Sequence, residues 1–322
     1  MKRVIVTGGT GFVGANLTRR LLRDGHEVHL LIRSNYQPWR IETIRDEVHI
    51  HEVQLHDIES VTRVIDQIRP DWIFHLAVYG AFSSQTDVQQ MLQTNIHGTI
   101  NLVQACLKTG FEAFVNTGSS SEYGFKDHPP AETEMIEPNS PYAASKAAGT
   151  LFCRQTARQQ HVHLPTLRLY SVYGPYEDPT RLVSTLIVRG LQGELPPLVG
   201  PETARDFVHV ADVVEAYLLA ATLPGQEPGA IFNVGTSVQT TLREAVAVAR
   251  EVLNISAEPI WGAMPARSWD TSIWVSENCK ICKELAWTPR FNFLRGFTAT
   301  VEWFRAHPEP LPLYRRKGRP KG

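Results

Sequence analysis

Val4-Ile5-Val6 runs directly into Thr7-Gly8-Gly9-Thr10-Gly11-Phe12-Val13-Gly14, and an apolar, basic stretch then continues to Asp24-Gly25. This pattern predicts a strand, a glycine turn and a helix. Glycine at Gly8, Gly11 and Gly14 lets the backbone turn tightly, approach a pyrophosphate and pack the helix close to the sheet. Free N–H groups at the helix start favour phosphate. In this context the motif predicts a bound dinucleotide rather than merely a tight turn.

Short apolar runs alternate with amphipathic helical patterns from residue 1 to about residue 168. The predicted strands after the first cover residues 27–32, 48–53, 72–77, 113–117 and 166–169. Strands that alternate with helices indicate an α/β fold, a doubly wound parallel sheet with its ligand at the carboxyl ends of the strands. Prolines interrupt the chain beyond Gly174. We therefore expect a dinucleotide-binding domain over 1–174, a smaller substrate domain over 175–312 with segments that return to the sheet, and a basic, solvated tail over 313–322.

The composition is that of a globular protein with a sizeable core. The 322 residues are 43% hydrophobic and 20% charged, and the formal net charge is −1. This charge predicts no general attraction to nucleic acid or to an anionic membrane. No apolar run approaches the about 20 residues that span a bilayer. Because the chain starts with a core strand, we expect no cleaved signal and a cytoplasmic location.

Four cysteines raise the question of a metal site. Cys279 and Cys282 have ligand-like spacing, but zinc would need two more close ligands. Cys106 and Cys153 lie in apolar helical patterns, where cysteine behaves as a small buried residue. We predict no metal and no disulfide.

A second motif, Pro141-Tyr142-Ala143-Ala144-Ser145-Lys146, places a phenol and an ammonium group four residues apart. Side chains with this spacing lie one turn apart on the same helix face. A tyrosine with its ordinary pKa of about 10 exchanges protons poorly at neutral pH. A lysine cation and the positive charge of a nicotinamide would lower the pKa of Tyr142, which could then act as acid or base.

In order and spacing, the two motifs resemble the extended short-chain dehydrogenase/reductase superfamily, which contains nucleotide-sugar epimerases, dehydratases and reductases. Nearly the whole chain takes part in the resemblance. The other matching stretches are Phe74-His75-Leu76-Ala77, residues 94–99 with Asn95, Thr117-Gly118-Ser119-Ser120-Ser121-Glu122-Tyr123-Gly124, and residues 168–175, 205–213 and 232–235. The resemblance implies an NAD(P)-dependent enzyme whose cofactor site includes Gly8, Thr10, Gly11, Phe12, Val13, Gly14, Leu76, Ala77, Tyr142 and Lys146. It also implies a homodimer that pairs through a four-helix bundle, with Ala144, Ala147, Ala148 and Leu151 as the apolar face of the helix that carries Tyr142.

The resemblance also implies catalytic roles. Ser119 lies four residues before Tyr123, where the family places its Ser or Thr, and Ser120 is its close rival. The hydroxyl would hold the C4 oxygen of the sugar while Tyr142 moves its proton. Lys146 would bind the nicotinamide ribose and tune Tyr142, and Asn95 would steady a water in the proton relay.

The end of the second strand indicates which dinucleotide binds. Arg33 and Ser34 stand where an aspartate or glutamate would accept hydrogen bonds from the adenosine ribose. A guanidinium and a hydroxyl pair instead with a 2′-phosphate, so NADP is favoured over NAD. Arg40 is expected to add a second positive charge, and the alternative is that Arg33 only stacks on the adenine. By resemblance, Asp57 binds the adenine amine.

The residues after Ser119 narrow the reaction. The 4,6-dehydratases of the family carry an acidic pair directly after this Ser or Thr, whereas this chain has Ser120 and Ser121, with Glu122 one place late. The pattern is more similar to 4-keto reductases of the family. We predict reduction of the C4 keto group of a CDP-, GDP- or dTDP-linked 4-keto-6-deoxyhexose. The alternatives are a 4-epimerase with tightly held NAD(P) and, less favoured because Tyr142 and Lys146 are both kept, a non-catalytic NADPH sensor.

Three residues are candidates for binding the substrate. By resemblance, Arg205 contacts the diphosphate, and its alternative is a salt bridge with Asp206 or Asp212. Glu122 is assigned to the substrate as the carboxylate nearest the catalytic serines. Arg267 lies in residues 266–275, a stretch with two tryptophans that suits a pocket for a base and a sugar.

Overall fold

A computed structural model of the chain describes residues 1–82, 84–264 and 271–317, with side chains up to residue 315. In these residues the strands are β1 Arg3–Thr7, β2 Glu27–Ile32, β3 His49–Glu52, β4 Trp72–His75, β5 Ala113–Ser119, β6 Thr166–Leu169, β7 Ser171–Tyr173, β8 Ala204–Arg205, β9 Phe207–His209, β10 Ile231–Val234 and β11 Thr240–Thr241. The α-helices are α1 Phe12–Arg23, α2 Ile58–Ile68, α3 Val88–Met91, α4 Gly98–Thr109, α5 Pro141–Gln160, α6 Leu182–Gly190, α7 Val210–Thr222, α8 Leu242–Leu253, α9 Cys279–Leu285, α10 Phe293–Ala306 and α11 Leu311–Lys317. A π-helical segment, Leu92–His97, joins α3 to α4, and 3₁₀ turns cover Pro38–Arg40, Glu42–Glu47 and Ser120–Tyr123.

Seven parallel strands form the main sheet, in the order β10-β6-β5-β4-β1-β2-β3. The central β1 carries Val4, Ile5 and Val6, all fully buried, because helices cover both faces of the sheet. The chain winds outward from β1 to β3 and then crosses to β4, so the direction of winding switches between β1 and β4. The predicted doubly wound parallel sheet is confirmed. In such sheets, ligands bind beyond the carboxyl ends of the strands at the switch point.

Two apolar layers enclose the sheet. Helices α1 and α7 pack on one face, where Leu17, Leu21 and Val213 belong to one buried cluster. Helices α2, α4 and α5 cover the other face, where Cys106 and Cys153 are fully buried among apolar side chains. The burial of these two cysteines is as predicted.

A third apolar cluster lies in the second half of the chain. It is built from α6, α8, α10 and α11, and its largest fully buried side chains include Phe297, Phe304 and Tyr314. Tyr314 also donates a hydrogen bond from its hydroxyl to the carbonyl oxygen of Glu177 at 2.7 Å. Residues 313 and 314 therefore pack against the body of the protein, although the predicted solvated tail begins at residue 313.

The division at residue 174 stays a prediction, and two later segments do return to the sheet. Strand β10 pairs with β6, and α7 packs on α1. Cys279 and Cys282 lie on the short helix α9. Within the described ranges, no group of three His, Cys, Asp or Glu side chains is arranged to hold a metal ion. In the same ranges, none of the helices has both the length and the apolar character needed to cross a bilayer.

Candidate active site and cofactor cleft

The glycine turn packs against the end of β4. Gly8 has φ of +70°, and a Cβ built on it would lie 2.7 Å from the carbonyl oxygen of Leu76. A Cβ on Gly14 would lie 2.2 Å from the carbonyl oxygen of Gly8. Both contacts are with backbone atoms, so a side chain at either position requires the turn or α1 to move. The turn therefore brings Leu76, Ala77 and the start of α1 together, and their contact with a cofactor stays a prediction.

The start of α1 suits an anion. Gly11 is its N-cap and supplies no side chain to accept hydrogen bonds from the first turn, and no acidic residue lies in that turn. The N–H groups of Phe12 and Val13 have no partner within the helix, and the positive end of the helix dipole points the same way. A dinucleotide pyrophosphate fits this combination of a narrow glycine turn and unpartnered N–H groups.

Arg33, Ser34 and Arg40 were predicted to bind the adenosine end of the dinucleotide, and the structure contradicts the prediction for one of them. Arg33 and Ser34 follow β2 and are exposed, and their contact with a bound nucleotide stays a prediction. Arg40 is buried, and its Nε donates to the carbonyl oxygen of Tyr176 at 2.8 Å. The prediction for Arg40 was wrong, because this contact and the Asp178 carboxylate at 3.9 Å hold its guanidinium away from solvent.

Asp57 is the N-cap of α2. Its Oδ1 accepts hydrogen bonds from the N–H groups of Glu59 and Ser60, at 3.1 and 3.3 Å. The residue is exposed, so its contact with adenine stays a prediction alongside this capping role.

Helix α5 carries Tyr142 and Lys146 into the carboxyl edge of the sheet. Ser140 is the N-cap of the helix, and its Oγ accepts from the N–H of Ala143 at 3.2 Å; Pro141 is the first helical residue, a position that suits proline. The Ser119 side chain, at the end of β5, lies close enough to the phenol of Tyr142 to lower the pKa of that phenol. Two distant segments thus bring a hydroxyl, a phenol and an ammonium group together.

Burial dominates the protonation of this group. It raises the pKa of Tyr142, and the Ser119 side chain opposes the rise. It lowers the pKa of Lys146, and the charge of Glu122 opposes that fall. In the protein alone, the shift at Tyr142 is opposite to the one expected with a nicotinamide cation beside it, because the largest influence is desolvation of the phenolate.

The structure distinguishes between Ser119 and Ser120 as candidates for the catalytic hydroxyl. The Ser119 side chain lowers the pKa of Tyr142, and its Oγ lies 2.7 Å from the Oγ of Ser121. Ser120 is buried and lines a small neighbouring cleft with Tyr170 and Trp274. We therefore favour Ser119 as the hydroxyl that works with Tyr142.

Asn95 lies in the π-helical segment between α3 and α4. Its Nδ2 donates to the carbonyl oxygen of Tyr79 and to Ser145 Oγ, both at 2.8 Å, and its Oδ1 accepts from the Tyr79 N–H. Ser145 in turn donates to the carbonyl oxygen of Tyr142 at 2.8 Å. Asn95 thereby connects the loop after β4 to the first turn of α5, and its role toward a water stays a prediction. π-Helical turns are frequent at functional sites, and sequence periodicity did not reveal this one.

His75, for which the sequence predicts no role of its own, forms a buried network. Its Nδ1 lies 2.7 Å from Thr7 Oγ1 and its Nε2 lies 2.9 Å from Thr99 Oγ1. Burial and the charge of Lys146 lower the pKa of His75 to about 3, so the ring is neutral at physiological pH. Thr7 Oγ1 also accepts from the N–H of Ala77 at 3.1 Å, which fixes the strand end beside the glycine turn.

Glu122 corrects the sequence prediction. It has no exposed surface, and its oxygens accept hydrogen bonds from the Ser119 N–H, Thr150 Oγ1 and Arg168 Nε, at 2.8, 3.0 and 2.8 Å. A direct contact with substrate does not fit this placement, because the carboxylate is fully buried and is already bound by three protein groups.

The predicted diphosphate residue Arg205 is half-buried on β8. Its Nη1 donates to the carbonyl oxygen of Ala204 at 2.7 Å, and its guanidinium lies 5.7 Å from the ring centre of Trp274. The neighbouring Asp206 is fully buried and accepts from Ser276 and from the loop after β10. Contact between Arg205 and a phosphate stays a prediction. Arg267 lies outside the described residues.

Arg181 is a residue that the sequence reasoning missed. It precedes α6, donates from Nη2 to the carbonyl oxygen of Ala81 at 2.7 Å and lies over the Phe82 ring. Its charge lowers the pKa of Tyr142. Arg181 belongs to no recognisable motif, so the sequence does not predict that its side chain contacts the loop after β4.

The glycine turn, the Ser119, Tyr142 and Lys146 group and the doubly wound sheet together define the short-chain dehydrogenase/reductase class. The sequence profile described as the NAD dependent epimerase/dehydratase family matches residues 4–235. The chain belongs to this family.

Individual relatives are similar over nearly their whole length. A UDP-glucose 4-epimerase of Mycolicibacterium smegmatis is 31% identical over 94% of this chain and 98% of its own. A dTDP-glucose 4,6-dehydratase of Streptomyces griseus is 27% identical over 94% of each chain. Among solved structures, the Thermotoga maritima UDP-glucose 4-epimerase with UDP-glucose superposes with a TM-score of 0.86 at 29% identity and covers 95% of this chain and 100% of its own. The Thermus thermophilus UDP-glucose 4-epimerase in complex with NAD has a TM-score of 0.83 at 31% identity and covers 95% and 99%.

Proposed function

We propose that this enzyme is an NADP-dependent oxidoreductase that reduces the C4 keto group of a CDP-, GDP- or dTDP-linked 4-keto-6-deoxyhexose. The observation that carries the proposal is the placement of the Ser119 side chain near the phenol of Tyr142, where it lowers the pKa of the phenol, with Lys146 one turn away on α5. Hydroxyls rather than carboxylates occupy positions 120 and 121. The residues therefore suit proton transfer at one carbinol or carbonyl centre better than a dehydration that needs an acidic pair.

Each residue has a defined task in this reaction. When bound, the dinucleotide supplies the hydride that C4 accepts. The turn of Gly8, Gly11 and Gly14 would hold its pyrophosphate, and Arg33 and Ser34 would pair with its 2′-phosphate.

Ser119 donates a hydrogen bond to the C4 oxygen and orients it toward Tyr142. Tyr142 transfers its phenolic proton to that oxygen, so the carbonyl gains one hydride and one proton and becomes an alcohol. Lys146 stabilises the phenolate that remains. Asn95 holds Ser145, which supports the turn that carries Tyr142.

A second candidate is a nucleotide-sugar 4-epimerase that keeps NAD(P) bound through oxidation and re-reduction of C4. The similarity to epimerases in both sequence and structure favours it, and the Thermus thermophilus relative was solved with NAD. The exposed Arg33 and Ser34 at the end of β2 favour the NADP-dependent reductase.

We also propose that the chain forms a homodimer through α4 and α5. On α5, Ala144 is exposed and Leu151 is 52% exposed, which suits an apolar contact with a second copy. Ala147 was expected on the same face but is buried within the protomer. The apolar surface available to a second copy is therefore smaller than predicted. The cytoplasmic location stays a prediction.

Cofactor consumption distinguishes the candidates. NADPH absorbance should fall in proportion to a supplied CDP-, GDP- or dTDP-4-keto-6-deoxyhexose if the enzyme is a reductase. Interconversion of UDP-hexoses without net NADPH loss would replace the proposal with the epimerase, and NADPH binding without turnover of any nucleotide sugar would indicate a sensor. Tyr142→Phe should lower turnover about 10²- to 10⁴-fold with little change in cofactor affinity, the range for a lost general acid. Unchanged turnover in this variant would overturn the role of Tyr142.

A further inference from the structure

Glu122 and Arg168 form an ion pair that solvent does not reach. Glu122 is 0% exposed and Arg168 is 2% exposed, and the Nε to Oε2 distance is 2.8 Å. The Arg168 guanidinium also lies 4.5 Å from the ring centre of Tyr123, whereas its Nη1 has no hydrogen-bond partner in the described residues. Because the desolvation of two charges can outweigh their attraction, stability alone is a weak explanation for such a pair.

The position of the carboxylate supplies another explanation. Oε1 accepts from the backbone N–H of Ser119 on β5 and also from the hydroxyl of Thr150 on α5. Thr150 lies one turn beyond Lys146, on the helix that carries Tyr142. Oε1 of Glu122 therefore connects Ser119 to α5, the helix that carries Tyr142 and Lys146. Arg168 on β6 binds the other carboxylate oxygen, Oε2.

The charge of Glu122 also acts on both titratable partners. It raises the pKa of Lys146 against the effect of burial, and it raises the pKa of Tyr142. It thus favours the ammonium form of Lys146 and the protonated phenol of Tyr142. A protonated phenol is the form that a proton donor needs.

We infer that Glu122 is a positioning residue, held by Arg168, that fixes the end of β5 against α5 and so aligns Ser119 with Tyr142. This inference rests on the proposed hydride chemistry at C4 for its kinetic consequences. Its geometric part concerns only the protein.

Three variants distinguish the effect of Glu122 on the alignment of Ser119 with Tyr142 from the effects of its charge and of its contribution to folding. Glu122→Gln keeps an acceptor for Ser119 and removes the charge, but it leaves Arg168 buried without its partner. Glu122→Gln/Arg168→Gln replaces the pair by two amides that can bond each other, which protects the fold. Thr150→Val keeps the charge and removes only the hydrogen bond to α5. Glu177→Gln is the control for replacing a buried carboxyl group by an amide, because Glu177 is also buried but accepts a hydrogen bond from Ser184 on α6.

In the wild type and the folded variants, we would measure kcat, KM, the cofactor Kd and the pH profile of kcat. The double variant should lower kcat about 10- to 100-fold, as expected for misaligned reacting groups, with the cofactor Kd within about twofold. Its alkaline limb should move to lower pH, because Lys146 and Tyr142 both lose the influence of the carboxylate. Thr150→Val should lower kcat without moving that limb, and Glu177→Gln should change neither.

A kcat within about twofold of the wild type and a superimposable pH profile in the folded double variant would overturn the inference, whatever the change in thermal stability. Absence of turnover in the wild type would instead refute the proposed function. In that case, the phenol of Tyr142 is titrated by its ultraviolet absorbance, with Tyr142→Phe as the blank. A lower Tyr142 pKa in the double variant would then support the inference, and an unchanged one would refute it.

Discussion

Replacing Gly14 by alanine should strain the glycine turn, and the free energy of this strain should exceed the free energy gained from the higher helix propensity of alanine. The new Cβ would lie 2.2 Å from the carbonyl oxygen of Gly8, whereas real Cβ atoms essentially never come closer than 3.0 Å. The start of α1 must therefore move by about 0.8 Å. Both contacting groups are backbone, so no flexible side chain can give way.

The magnitude follows from two opposing effects. Overpacking of this kind costs about 3 kcal/mol, the upper end of its usual range, because the neighbour is rigid. Alanine recovers about 1 kcal/mol of helix propensity. The net loss of about 2 kcal/mol corresponds to about a 30-fold weaker NADPH Kd if the turn moves on binding. If the strain is carried in the folded protein instead, it appears as a fall in Tm of a few degrees, about 2 °C per kcal/mol.

Calorimetric titration with NADPH and scanning calorimetry measure both forms of this loss. Gly200→Ala is the control, because nothing lies within 4 Å of its added Cβ and its φ lies outside the left-handed range that strains an alanine. The control should keep the wild-type Kd and Tm. If Gly14→Ala also kept both, within about twofold and 1 °C, the close approach of α1 to the turn would be refuted.

Three further predictions concern other parts of the molecule. Arg33→Asp should weaken NADPH binding about 10- to 100-fold and strengthen NADH binding, as the loss of a charged hydrogen bond to phosphate requires; fluorescence titration checks this, and equal NADH and NADPH affinity in the wild type would exclude the 2′-phosphate contact. Leu151→Glu should convert a dimer to a monomer in light scattering, whereas Ile260→Glu, also on an exposed apolar side chain, should not; a monomeric wild type at micromolar concentration contradicts the dimer. Burial raises the pKa of Glu177 from its usual 4.5 to about 8, so the folded protein holds this proton more tightly than the unfolded chain. Stability should therefore fall from pH 4.5 to 8, and Glu177→Gln should lessen the fall in melting curves; parallel pH dependences would contradict the assignment.

The features that the sequence predicted correctly are those that short segments determine. The alternation of apolar runs indicated the strands, with β2 and β6 at their predicted bounds. The four-residue spacing of Tyr142 and Lys146 predicted their common helix face, because helical periodicity alone determines it. The turn at Gly8 and Gly14 follows from the same local logic, because only glycine fits both contacts.

The sequence did not predict the positions of two charged residues, because their hydrogen-bond partners lie far along the chain. Arg40 was expected at the nucleotide, but Tyr176, 136 residues later, accepts its hydrogen bond. Glu122 was expected at the substrate, but Arg168, 46 residues later, holds it within the core. A charged residue in a sequence does not reveal whether the topology will provide a buried partner, so both predictions assumed exposure.

The pairing of β10 with β6 has a consequence for how the chain folds. Between the end of β6 at Leu169 and the start of β10 at Ile231, the chain must form β7, α6, β9 and α7. Closing so long a loop costs conformational entropy before the strand contacts offset it, so this edge should join the sheet late. Until then, β6 presents unpaired N–H and carbonyl groups at the edge of an apolar sheet, which is the surface where folding intermediates aggregate. A chain truncated before residue 231 would keep that edge open permanently, and we expect it to accumulate as insoluble protein.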